Sequence, residues 1–414
     1  MANKLIVQKY GGTSVGNVKR IEKVADRVVS YAKKGYRLVV VVSAMGDTTD
    51  QLIALAKKIN PSPSEREMDM LISTGEQISS SLLALAIHKK GFEAISFTGP
   101  QVGIITDQYH TRAKILKIKT ARIKKELKSG KIVIVAGFQG ISTSNEITTL
   151  GRGGSDLSAV ALAVALKADS CEIYTDVKGI YTADPRIVCD ARKLKYITFD
   201  EMLELAAHGA QVMQTRAVEV GKKFNMPIVV RSSFCKEEGT IIMEKTPNIE
   251  EPVVRGVALT ENEAKITICD VPDQPGIAAQ IFNELALQHI NVDMIVQNVS
   301  HRKMTDISFT VPKDSLQKAL KISKKIAEMI KAGAVISDED IAKVSIVGVG
   351  MRSHSGVAAK CFQALAKNKI NIEMISTSEI SISCVVRKEF GKKALIALHK
   401  AFELGRPNRE EAKK

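Results

Sequence analysis

The chain has 414 residues, more than one ordinary hydrophobic core requires, so its length favours two or three domains. Hydrophobic residues make up 45% and charged residues 25% of the sequence, which is typical of a soluble globular protein and excludes a disordered chain. The net charge of +15 would attract nucleic acid, but only 4% of the residues are aromatic and none is Trp. Stacking contacts for single strands are therefore scarce, and we expect no nucleic-acid partner.

No apolar run in the sequence approaches the roughly 20 residues that cross a bilayer, and no secretion signal is recognisable near Met1. We therefore expect a cytoplasmic protein without a membrane span. The six cysteines lack the close spacing of metal-binding pairs, and the seven histidines form no zinc motif. We expect no metal site built from protein ligands alone.

Up to about residue 245, short β-branched runs alternate with longer amphipathic stretches, which predicts an α/β domain with a mainly parallel sheet. The predicted strands begin near residues 5, 38, 93, 131, 171 and 227, and the predicted helices cover about 17–34, 67–89, 111–129, 155–167 and 212–225. Two prolines in the segment that begins at Lys245 predict a linker after this domain.

Beyond the linker the chain repeats itself. The segment DQPGIAAQIFNELALQHINVDMI from Asp273 aligns without a gap with SHSGVAAKCFQALAKNKINIEMI from Ser353, at a constant offset of 80 residues. Each copy has a glycine turn, a helix and an INxxMI strand, so we predict two tandem βαββαβ modules. The expected divisions are a catalytic domain 1–245, a linker and strand 246–263, and modules 264–336 and 343–408. The pattern leaves open which module the strand near 253–259 completes.

The first predicted strand ends in QKYGGTSVGN, and a helix is predicted from about Asn17. Backbone N–H groups in such a glycine turn, together with the helix dipole, bind anions, so phosphate is the expected ligand. Lys9 would neutralise charge on a transferred phosphoryl group. The spacing matches neither a P-loop nor GxGxxG, and a tight turn without a ligand stays the alternative.

A second glycine-rich turn, in TLGRGGSDLSAVALAVAL from Thr149, opens directly into an apolar helix. Ser155 is expected near the N-cap and Asp156 in the first turn, so a well-capped helix is the alternative interpretation. Arg152 lies among three glycines, which leaves its guanidinium free for a carboxylate or a phosphate. A third segment, YTDVKGIYTADPR from Tyr174, follows a predicted strand and is either a ligand-binding loop or a series of turns.

These segments, with SAMGDTTD from Ser43 and STGEQIS from Ser73, resemble the aspartate kinase branch of the amino-acid kinase family. The repeat resembles that branch's paired regulatory ACT domains. The resemblance implies a mainly parallel sheet sandwiched by helices, followed by two ferredoxin-like ACT domains. It also implies ATP-dependent phosphorylation of the L-aspartate side-chain carboxylate to 4-phospho-L-aspartate, with Mg²⁺ accompanying ATP, as the first step toward lysine, threonine and methionine.

The resemblance also assigns site residues. The nucleotide contacts would be Lys9, Tyr10, Gly11, Gly12, Thr175, Asp176, Tyr181, Arg186 and Gln211. The aspartate contacts would be Thr49, Glu76, Arg152 and Ser155. Arg152 would bind the α-carboxylate and Glu76 the ammonium group, and Lys9, Arg152 and Asp156 would act in catalysis. Gln211 departs from the family pattern, because many relatives have a lysine there and glutamine supplies no cation.

Feedback inhibition by lysine, threonine or both is implied for the repeat, together with homo-oligomerisation through the ACT domains. The turn of each copy places backbone N–H groups near a helix N-terminus, which suits an α-carboxylate. The candidate effector contacts are Asp273, Gly276, Ile277, Ala278, Asn291, Asp293, Gln297 and Asn298 in the first copy and Gly356, Val357, Asn371 and Glu373 in the second. The change from Pro275 to Ser355 makes the second copy the weaker candidate.

Two other functions stay open at this level. The first is a relative of the same fold that phosphorylates glutamate, an N-acylated amino acid or a nucleoside monophosphate. Glu76 argues against an N-acylated substrate, because its partner would be a free ammonium group. The second is an inactive metabolite sensor, which the presence of Lys9, Arg152 and Asp156 disfavours.

Overall fold

The structure is a computed structural model that describes residues 4–210, 212–247, 252–297 and 304–405. The chain forms two compact units. The first consists of Met1–Ile180, Lys193–Ala206 and Gln211–Asn248, and the second of Tyr181–Arg192, Ala207–Ala210 and Ile249–Lys414. The second unit thus takes in two short segments that the expected divisions leave in the catalytic domain, and those divisions stay a prediction.

An eight-stranded sheet forms the middle of the first unit. Its strands in spatial order are β10 (Tyr196–Thr198), β12 (Thr240–Met243), β11 (Ile228–Ser232), β9 (Ser170–Thr175), β1 (Leu5–Tyr10), β2 (Arg37–Val42), β6 (Ile132–Ala136) and β3 (Ala94–Phe97). Every neighbouring pair is parallel except β11 and β12. Strands β2 and β6, which read RLVVVV and IVIVA, are buried almost throughout, as expected for a parallel sheet covered on both faces.

Helices and a smaller sheet complete this unit. The smaller sheet has the order β5 (Ile115–Ile118), β4 (Ile104–Thr106), β7 (Gln139–Ser142) and β8 (Ile147–Thr149). The helices are α1 (Val18–Lys33), α2 (Thr48–Ile59), α3 (Glu65–Ile72), α4 (Thr74–His88), α5 (Ala121–Lys128), α6 (Gly154–Leu166), α7 (Phe199–Ala207) and α8 (Thr215–Lys223). Helix α1 begins where Asn17 Oδ1 accepts a hydrogen bond from Arg20 N at 3.0 Å, a side-chain N-cap.

The six predicted strands are present as β1, β2, β3, β6, β9 and β11. The predicted helix over 111–129 is wrong, because its first half forms β5 and only Ala121–Lys128 is helical. Strand β5 pairs antiparallel with β4, so tertiary pairing overrides the local pattern there. Helices α2 and α7 were not predicted.

One helical stretch, Glu65–His88, is long and apolar enough by length and composition alone to cross a membrane. Half of its apolar window is buried inside the protein, and α4 packs on α1 and on strand β3. Core helices of soluble proteins pass the same test, so this stretch is weak support for a membrane span.

The second unit contains two four-stranded antiparallel sheets. The first has the order β15 (Ile295–Gln297), β16 (Met304–Pro312), β14 (Glu263–Pro272) and β17 (Val335–Asp338), and the second β13 (Gly256–Thr260), β18 (Ile341–Val347), β20 (Ser381–Arg387) and β19 (Met374–Thr377). The helices are α9 (Ile277–Leu287), α10 (Leu316–Met329), α11 (Val357–Lys367) and α12 (Gly391–Ala401). Each sheet and its two helices form one copy of the repeat. Strand β13 pairs with β18, so the strand that the sequence left open completes the second module.

Helices α9 and α11 begin at equivalent glycines. Gly276 and Gly356 are the N-caps, with φ of +95° and +85°, and a Cβ at either position would meet no atom within 4 Å. The left-handed backbone conformation, and not crowding, therefore accounts for glycine at both positions.

Two lysines at equivalent positions connect the modules reciprocally. Strands β14 and β18 share an Ala-Lys pair, Ala264-Lys265 and Ala342-Lys343. Lys265 Nζ lies 2.5 Å from Oε2 of Glu373 in the second module, and Lys343 Nζ contacts Asp293 in the first module. Lys343 Nζ also lies 2.6 Å from Glu263 Oε1. Each module therefore binds the acidic residue in the other module's INxxMI segment.

Candidate active site

Strands β1, β2, β6 and β9 end at one edge of the eight-stranded sheet. The register places Tyr10, the last residue of β1, opposite Val42 on β2 and Tyr174 on β9. The segments that follow these strands begin at Gly11, Ser43, Gly137 and Asp176. Ligands of open parallel sheets bind at this carboxyl edge, and three of the five motif segments lie there.

Gly11 and Gly12 form a turn packed tightly against the segment after β2. Gly11 N donates to Tyr174 O at 3.1 Å, and Gly46 N donates to Gly12 O at 3.1 Å. A Cβ at Gly12 would lie only 2.9 Å from Ala44 O and 3.0 Å from Gly46 O. No side chain fits there, so glycine at position 12 allows the turn to pack directly on the backbone of the segment after β2.

Lys9 and Asp156 form an ion pair at the sheet edge. Lys9 Nζ lies 2.6 Å from Asp156 Oδ1, and the two side chains are 12% and 9% exposed. Asp156 lies in the first turn of α6, and its Oδ2 accepts from Gln214 N at 3.3 Å. A Cβ at Gly11 would lie 3.5 Å from Lys9 Nζ, which places this ammonium group beside the glycine turn. The structure therefore brings together the predicted catalytic cation, the carboxylate that orients it, and the candidate phosphate turn.

The side chain of Tyr10 faces away from Lys9, because successive residues of a strand point to opposite faces of the sheet. Its ring is fully buried and stacks on Tyr174, with centroids 4.7 Å apart, and burial raises the Tyr10 pKa well above its usual value. The Tyr10 hydroxyl donates to Gln8 Oε1 at 3.2 Å. A nucleotide contact by the Tyr10 side chain is thereby excluded, and only its backbone is available.

Glu76 is buried in the first turn of α4. Its Oε1 accepts from Ala44 N at 3.1 Å, while Oε2 is buried without a protein partner. Burial raises the Glu76 pKa to about 8, and the Ala44 N–H opposes this rise. An ammonium group beside Oε2 would favour the ionised carboxylate and would satisfy the buried oxygen. Thr49 is the second residue of α2 and is half-buried.

Arg152 and Ser155 flank the start of α6. The N-cap is Gly153, with φ of +75°, so Ser155 lies inside the first turn and the expectation that it sits near the N-cap is off by two positions. A Cβ at Gly137 would lie 2.9 Å from Ser155 Oγ, so the start of α6 packs against the end of β6. Arg152 is exposed, and its carbonyl accepts from Gln214 Nε2 at 2.9 Å.

The remaining predicted nucleotide contacts belong to both units or lie outside the described residues. Thr175 ends β9 and its hydroxyl donates to Asp176 Oδ1 at 3.0 Å. Tyr181 and Arg186 belong to the second unit, where Arg186 pairs with Asp184 at 2.7 Å. Gln211 lies outside the described residues. A shared nucleotide site that includes these five residues stays a prediction.

Among residues 4–210, 212–247, 252–297 and 304–405, no group of three or more His, Cys, Asp or Glu side chains could hold a metal ion. Asp156, an acidic side chain near the glycine turn, already pairs with Lys9. The donor set thus fits a cation that arrives on a phosphate ligand rather than a metal held by protein carboxylates alone.

A cleft of about 340 Å³ lies in the first repeat module, at the turn before α9. Its lining includes Asp273, Gly276, Ile277, Ala278 and Gln297, five of the predicted effector contacts. Asn291 is exposed, and Asn298 lies outside the described residues. In the second module, Gly356 and Val357 begin α11 and Asn371 is exposed.

Asp293 and Glu373 are engaged elsewhere. Asp293 contacts Lys343, and Glu373 contacts Lys265 at 2.5 Å and Arg387 at 2.9 Å. The expectation that these two carboxylates bind the effector's ammonium group therefore needs correction: each already has an internal ammonium partner from the other module.

Family models match both parts of the chain. Residues 4–232 match the amino acid kinase family, and residues 270–325 and 344–402 match the ACT domain. The chain is 52% identical over 408 residues to an aspartokinase of Pseudomonas aeruginosa, covering 98% of this chain and 99% of the relative. It is 50% identical over 407 residues to the aspartokinase of Corynebacterium glutamicum, covering 97% and 96%. The chain belongs to the aspartate kinase family.

Two solved structures of aspartokinase III have the same fold as this chain. A crystal structure of Escherichia coli aspartokinase III in complex with aspartate and ADP (R-state) matches with a TM-score of 0.82 and 27% identity, over 96% of this chain and 99% of the other. The same protein in complex with lysine and aspartate (T-state) matches with a TM-score of 0.76 and 27% identity over the same shares. The expected fold, an amino-acid kinase domain followed by ACT domains, is confirmed.

Sequence reasoning missed several residues that shape the site of this kinase. Asp69, Thr149 and Arg216 hold the loop before Arg152, and Gln214 binds both Asp156 and the Arg152 carbonyl. Asp69, Gln214 and Arg216 lie just outside the recognised motifs, and no local pattern marked them. The sequence indicated no separate role for Thr149, which is the first residue of the TLGRGG segment.

Proposed function

We propose that this aspartate kinase transfers the γ-phosphoryl group of ATP to the side-chain carboxylate of L-aspartate at the sheet edge formed by β1, β2, β6 and β9. The observation that carries the proposal is the Lys9–Asp156 ion pair beside the Gly11-Gly12 turn. Lys9 would stabilise charge on the phosphoryl group in flight, and the backbone of the turn would bind the other phosphates. The similarity to aspartokinase III in complex with aspartate and ADP supports the same ligands here.

Aspartate would lie between Glu76 and Arg152. The buried, unpartnered Oε2 of Glu76 is a built acceptor for its ammonium group, and the exposed guanidinium of Arg152 would bind its α-carboxylate through two hydrogen bonds. Ser155 and Thr49 would complete the site. A free ammonium group is thus required, which disfavours an N-acylated substrate.

The acceptor oxygen needs no general base. A carboxylate is already an anion at neutral pH, so an aspartate oxygen forms the new O–P bond while the bond from the γ-phosphorus to the ADP oxygen breaks. The enzyme's task is to align two anions and to screen their repulsion, which accounts for a lysine, an arginine and backbone N–H groups at the site. Mg²⁺ would arrive with ATP and screen the phosphates.

The test is a turnover assay in which hydroxylamine traps the acyl phosphate as a hydroxamate. Arg152→Ala should raise the KM for aspartate by about 10- to 100-fold, because a charge-assisted bidentate contact is lost, and should change the KM for ATP much less. Arg152→Lys is the matched variant: it keeps the charge but loses the fork geometry, so its KM for aspartate should fall in between.

Two outcomes would contradict this assignment. Turnover of L-glutamate as fast as that of L-aspartate would contradict the assignment of L-aspartate as the substrate. A greatly raised KM for ATP with an unchanged KM for aspartate in Arg152→Ala would place Arg152 on the nucleotide instead.

An amino acid made from the product, lysine, threonine or both, would inhibit the enzyme from the cleft in the first repeat module. The N–H groups at the start of α9 would bind its α-carboxylate, and Asp273 and Gln297 would bind its ammonium group. The similarity to aspartokinase III in complex with lysine and aspartate supports a lysine effector. The occupied carboxylates of Asp293 and Glu373 favour Asp273 as the free acidic group.

Asp273→Asn and Gln297→Ala should raise the effector concentration for half-inhibition by about tenfold, within the roughly 5- to 150-fold range typical of coupling between two sites. Ser353→Ala, at the aligned position of the second copy, is the matched control and should leave it unchanged. The measurement is inhibition of hydroxamate formation by lysine and by threonine. If only Ser353→Ala shifts the midpoint, the second copy binds the effector.

The second unit would also assemble copies of the chain into a cytoplasmic homo-oligomer. Ile295 lies on β15 and Ile375 on β19, at aligned positions of the two repeats. Both strands are at sheet edges, and both side chains are exposed. Exposed apolar side chains on unpaired strand edges favour association with a second copy.

A further inference from the structure

Asp69 is a fully buried carboxylate on α3 that the proposed chemistry does not use. Thr149 Oγ1 donates to its Oδ1 at 2.5 Å. Thr111 N donates to Oδ1 at 3.1 Å and to Oδ2 at 3.0 Å. His110 Nδ1 lies 2.8 Å from Oδ2. Three donors from two separate segments of the chain therefore converge on one side chain.

A buried carboxylate such as Asp69 is costly in free energy, so its presence needs an explanation. Burying a carboxylate away from water costs several kcal/mol, in order of magnitude, and even well-paired buried charges are often no more stable than apolar replacements. Asp69 sits where α3 packs on β8, a contact that an apolar side chain could also make. A gain in stability is thus a poor explanation for an acid here, whereas fixed geometry is a good one.

The contacts of Asp69 lead to the loop that carries Arg152. Thr111 adopts a left-handed conformation, with φ of +62°, that is unusual for a β-branched residue. Its N–H binds Asp69, and its carbonyl lies against Gly151, where a Cβ would approach Thr111 O to 3.2 Å. Thr149 lies three residues before Arg152, and Gly151 lies directly before it. Asp69 therefore binds both the segment that leads to Arg152, through Thr149, and the neighbouring segment, through Thr111.

Arg216 fixes the same two segments from the side of α8. Its Nη1 donates to Leu150 O at 2.8 Å and its Nη2 to Ala113 O at 2.9 Å. The backbone also joins these segments directly, because Ala113 N donates to Thr149 O at 2.9 Å. Of these three connections, the one through Asp69 is the one that reaches α3.

The other end of the connection leads to Glu76. Helix α3 continues into α4 with a single residue between them, and Ser73 N donates to Asp69 O at 3.1 Å. The Ser73 carbonyl accepts from Gln139 Nε2 at 2.7 Å, which fixes the junction against β7. Asp69 and Glu76 therefore belong to one rigidly held helical stretch.

We propose that Asp69 is a positioning residue for aspartate binding: it sets the distance between the Arg152 loop and the helix that carries Glu76. The proposal rests on the proposed roles of Arg152 and Glu76. Asp69 touches neither substrate nor nucleotide, and it acts by holding Thr149 and Thr111 so that the two ends of aspartate are bound at once. A shift of either group away from the other weakens aspartate binding and leaves ATP binding intact.

Asp69→Asn should raise the KM for aspartate by about 10- to 100-fold, because charge-assisted hydrogen bonds are lost, while the KM for ATP should change less than about twofold. Thr149→Val removes only one neutral donor and should raise the KM for aspartate by about three- to tenfold. Thr149→Ser restores the hydroxyl and should return the KM to that of the parent protein. These values come from the same hydroxamate assay, with each substrate varied in turn.

A double-variant cycle tests whether Asp69 acts through Arg152. If it does, Asp69→Asn should add little to the KM for aspartate in an Arg152→Ala background, because residues that act as a unit are not additive. A full additional effect in that background would overturn the proposal. If Arg152→Ala affects aspartate use but Asp69→Asn and Thr149→Val do not, the positioning role fails and the proposed function stands. If Arg152→Ala itself has no effect, both fail.

Glu201→Gln is the control for loss of stability. Glu201 is also a fully buried carboxylate, and its Oε2 accepts from Thr198 N and Thr198 Oγ1, both at 3.1 Å, next to the edge strand β10 of the large sheet. It should lower the melting temperature about as much as Asp69→Asn without raising the KM for aspartate. Equal effects of the two variants on that KM would mean that Asp69 is merely structural.

Discussion

Replacing Lys9 with alanine should lower kcat by about 10²- to 10³-fold, as for the loss of one group that stabilises charge in the transition state. Lys9 Nζ lies beside the Gly11-Gly12 turn and 2.6 Å from Asp156. Its removal also leaves the Asp156 carboxylate largely buried and unpaired at the place where a phosphoryl group must pass, so repulsion adds to the loss. Hydroxamate formation at saturating aspartate and ATP measures the effect.

Lys222→Ala is a suitable control, because Lys222 pairs with Asp200 on the protein surface and both side chains are well exposed. It lowers the net charge by the same amount and should leave kcat unchanged. If the Lys9→Ala variant keeps most of the kcat of the parent protein, Lys9 has no catalytic role. A melting temperature close to that of the parent protein would show that the loss of rate is not caused by unfolding.

Replacing Lys343 with methionine should cost the second unit about 3–5 kcal/mol, the usual cost of breaking a buried ion pair by removing one partner. The Lys343 side chain is fully buried, and its ammonium group contacts Glu263 and Asp293. Without it, Glu263 keeps a buried carboxylate with no cation, and its Oε2 already lacks a partner. The two repeat modules should also separate more easily, because Asp293 comes from the first module and Lys343 from the second.

Lys265→Met is the matched control from the other copy. Lys265 is partly exposed, and its partner Glu373 would keep Arg387, so this change should cost only about 1 kcal/mol. The two units need not unfold together, so denaturant-dependent hydrogen exchange of β14 and β18 in the full chain is the better measurement. Equal destabilisation by the two variants would contradict the distinction between the fully buried Lys343 and the partly exposed Lys265.

The site could be recognised from sequence where its parts are contiguous. Lys9 and the two glycines lie together at the end of β1, and Arg152 and Asp156 lie together at the start of α6. A local motif therefore indicated each group. The repeat was equally visible, since its offset of 80 residues preserves the turn glycines at positions 276 and 356. These features depend on neighbours in the chain, which is the information that a sequence holds directly.

Other parts of the site depend on long-range pairing. The ring of Tyr10 is adjacent to Lys9 in sequence yet stacks on Tyr174 in the core. Asp293 and Glu373 occupy the positions where an effector's ammonium group was expected, yet each binds a lysine of the other module. Strand β5 was predicted as helix because its partner β4 is not visible in the local pattern.

The sequence by itself determined the family and the order of the α/β domain and the two repeats, and it predicted the charged residues of the candidate site. Short-range patterns of glycine, charge and apolar periodicity encode these features. Only the tertiary structure decided which face of β1 each side chain occupies, which module β13 completes, and that Asp69 ties Thr149 and Thr111 to the helix that leads to Glu76. Those facts arise from contacts between segments tens of residues apart, and the free energy of such contacts depends on burial and distance that no local pattern records.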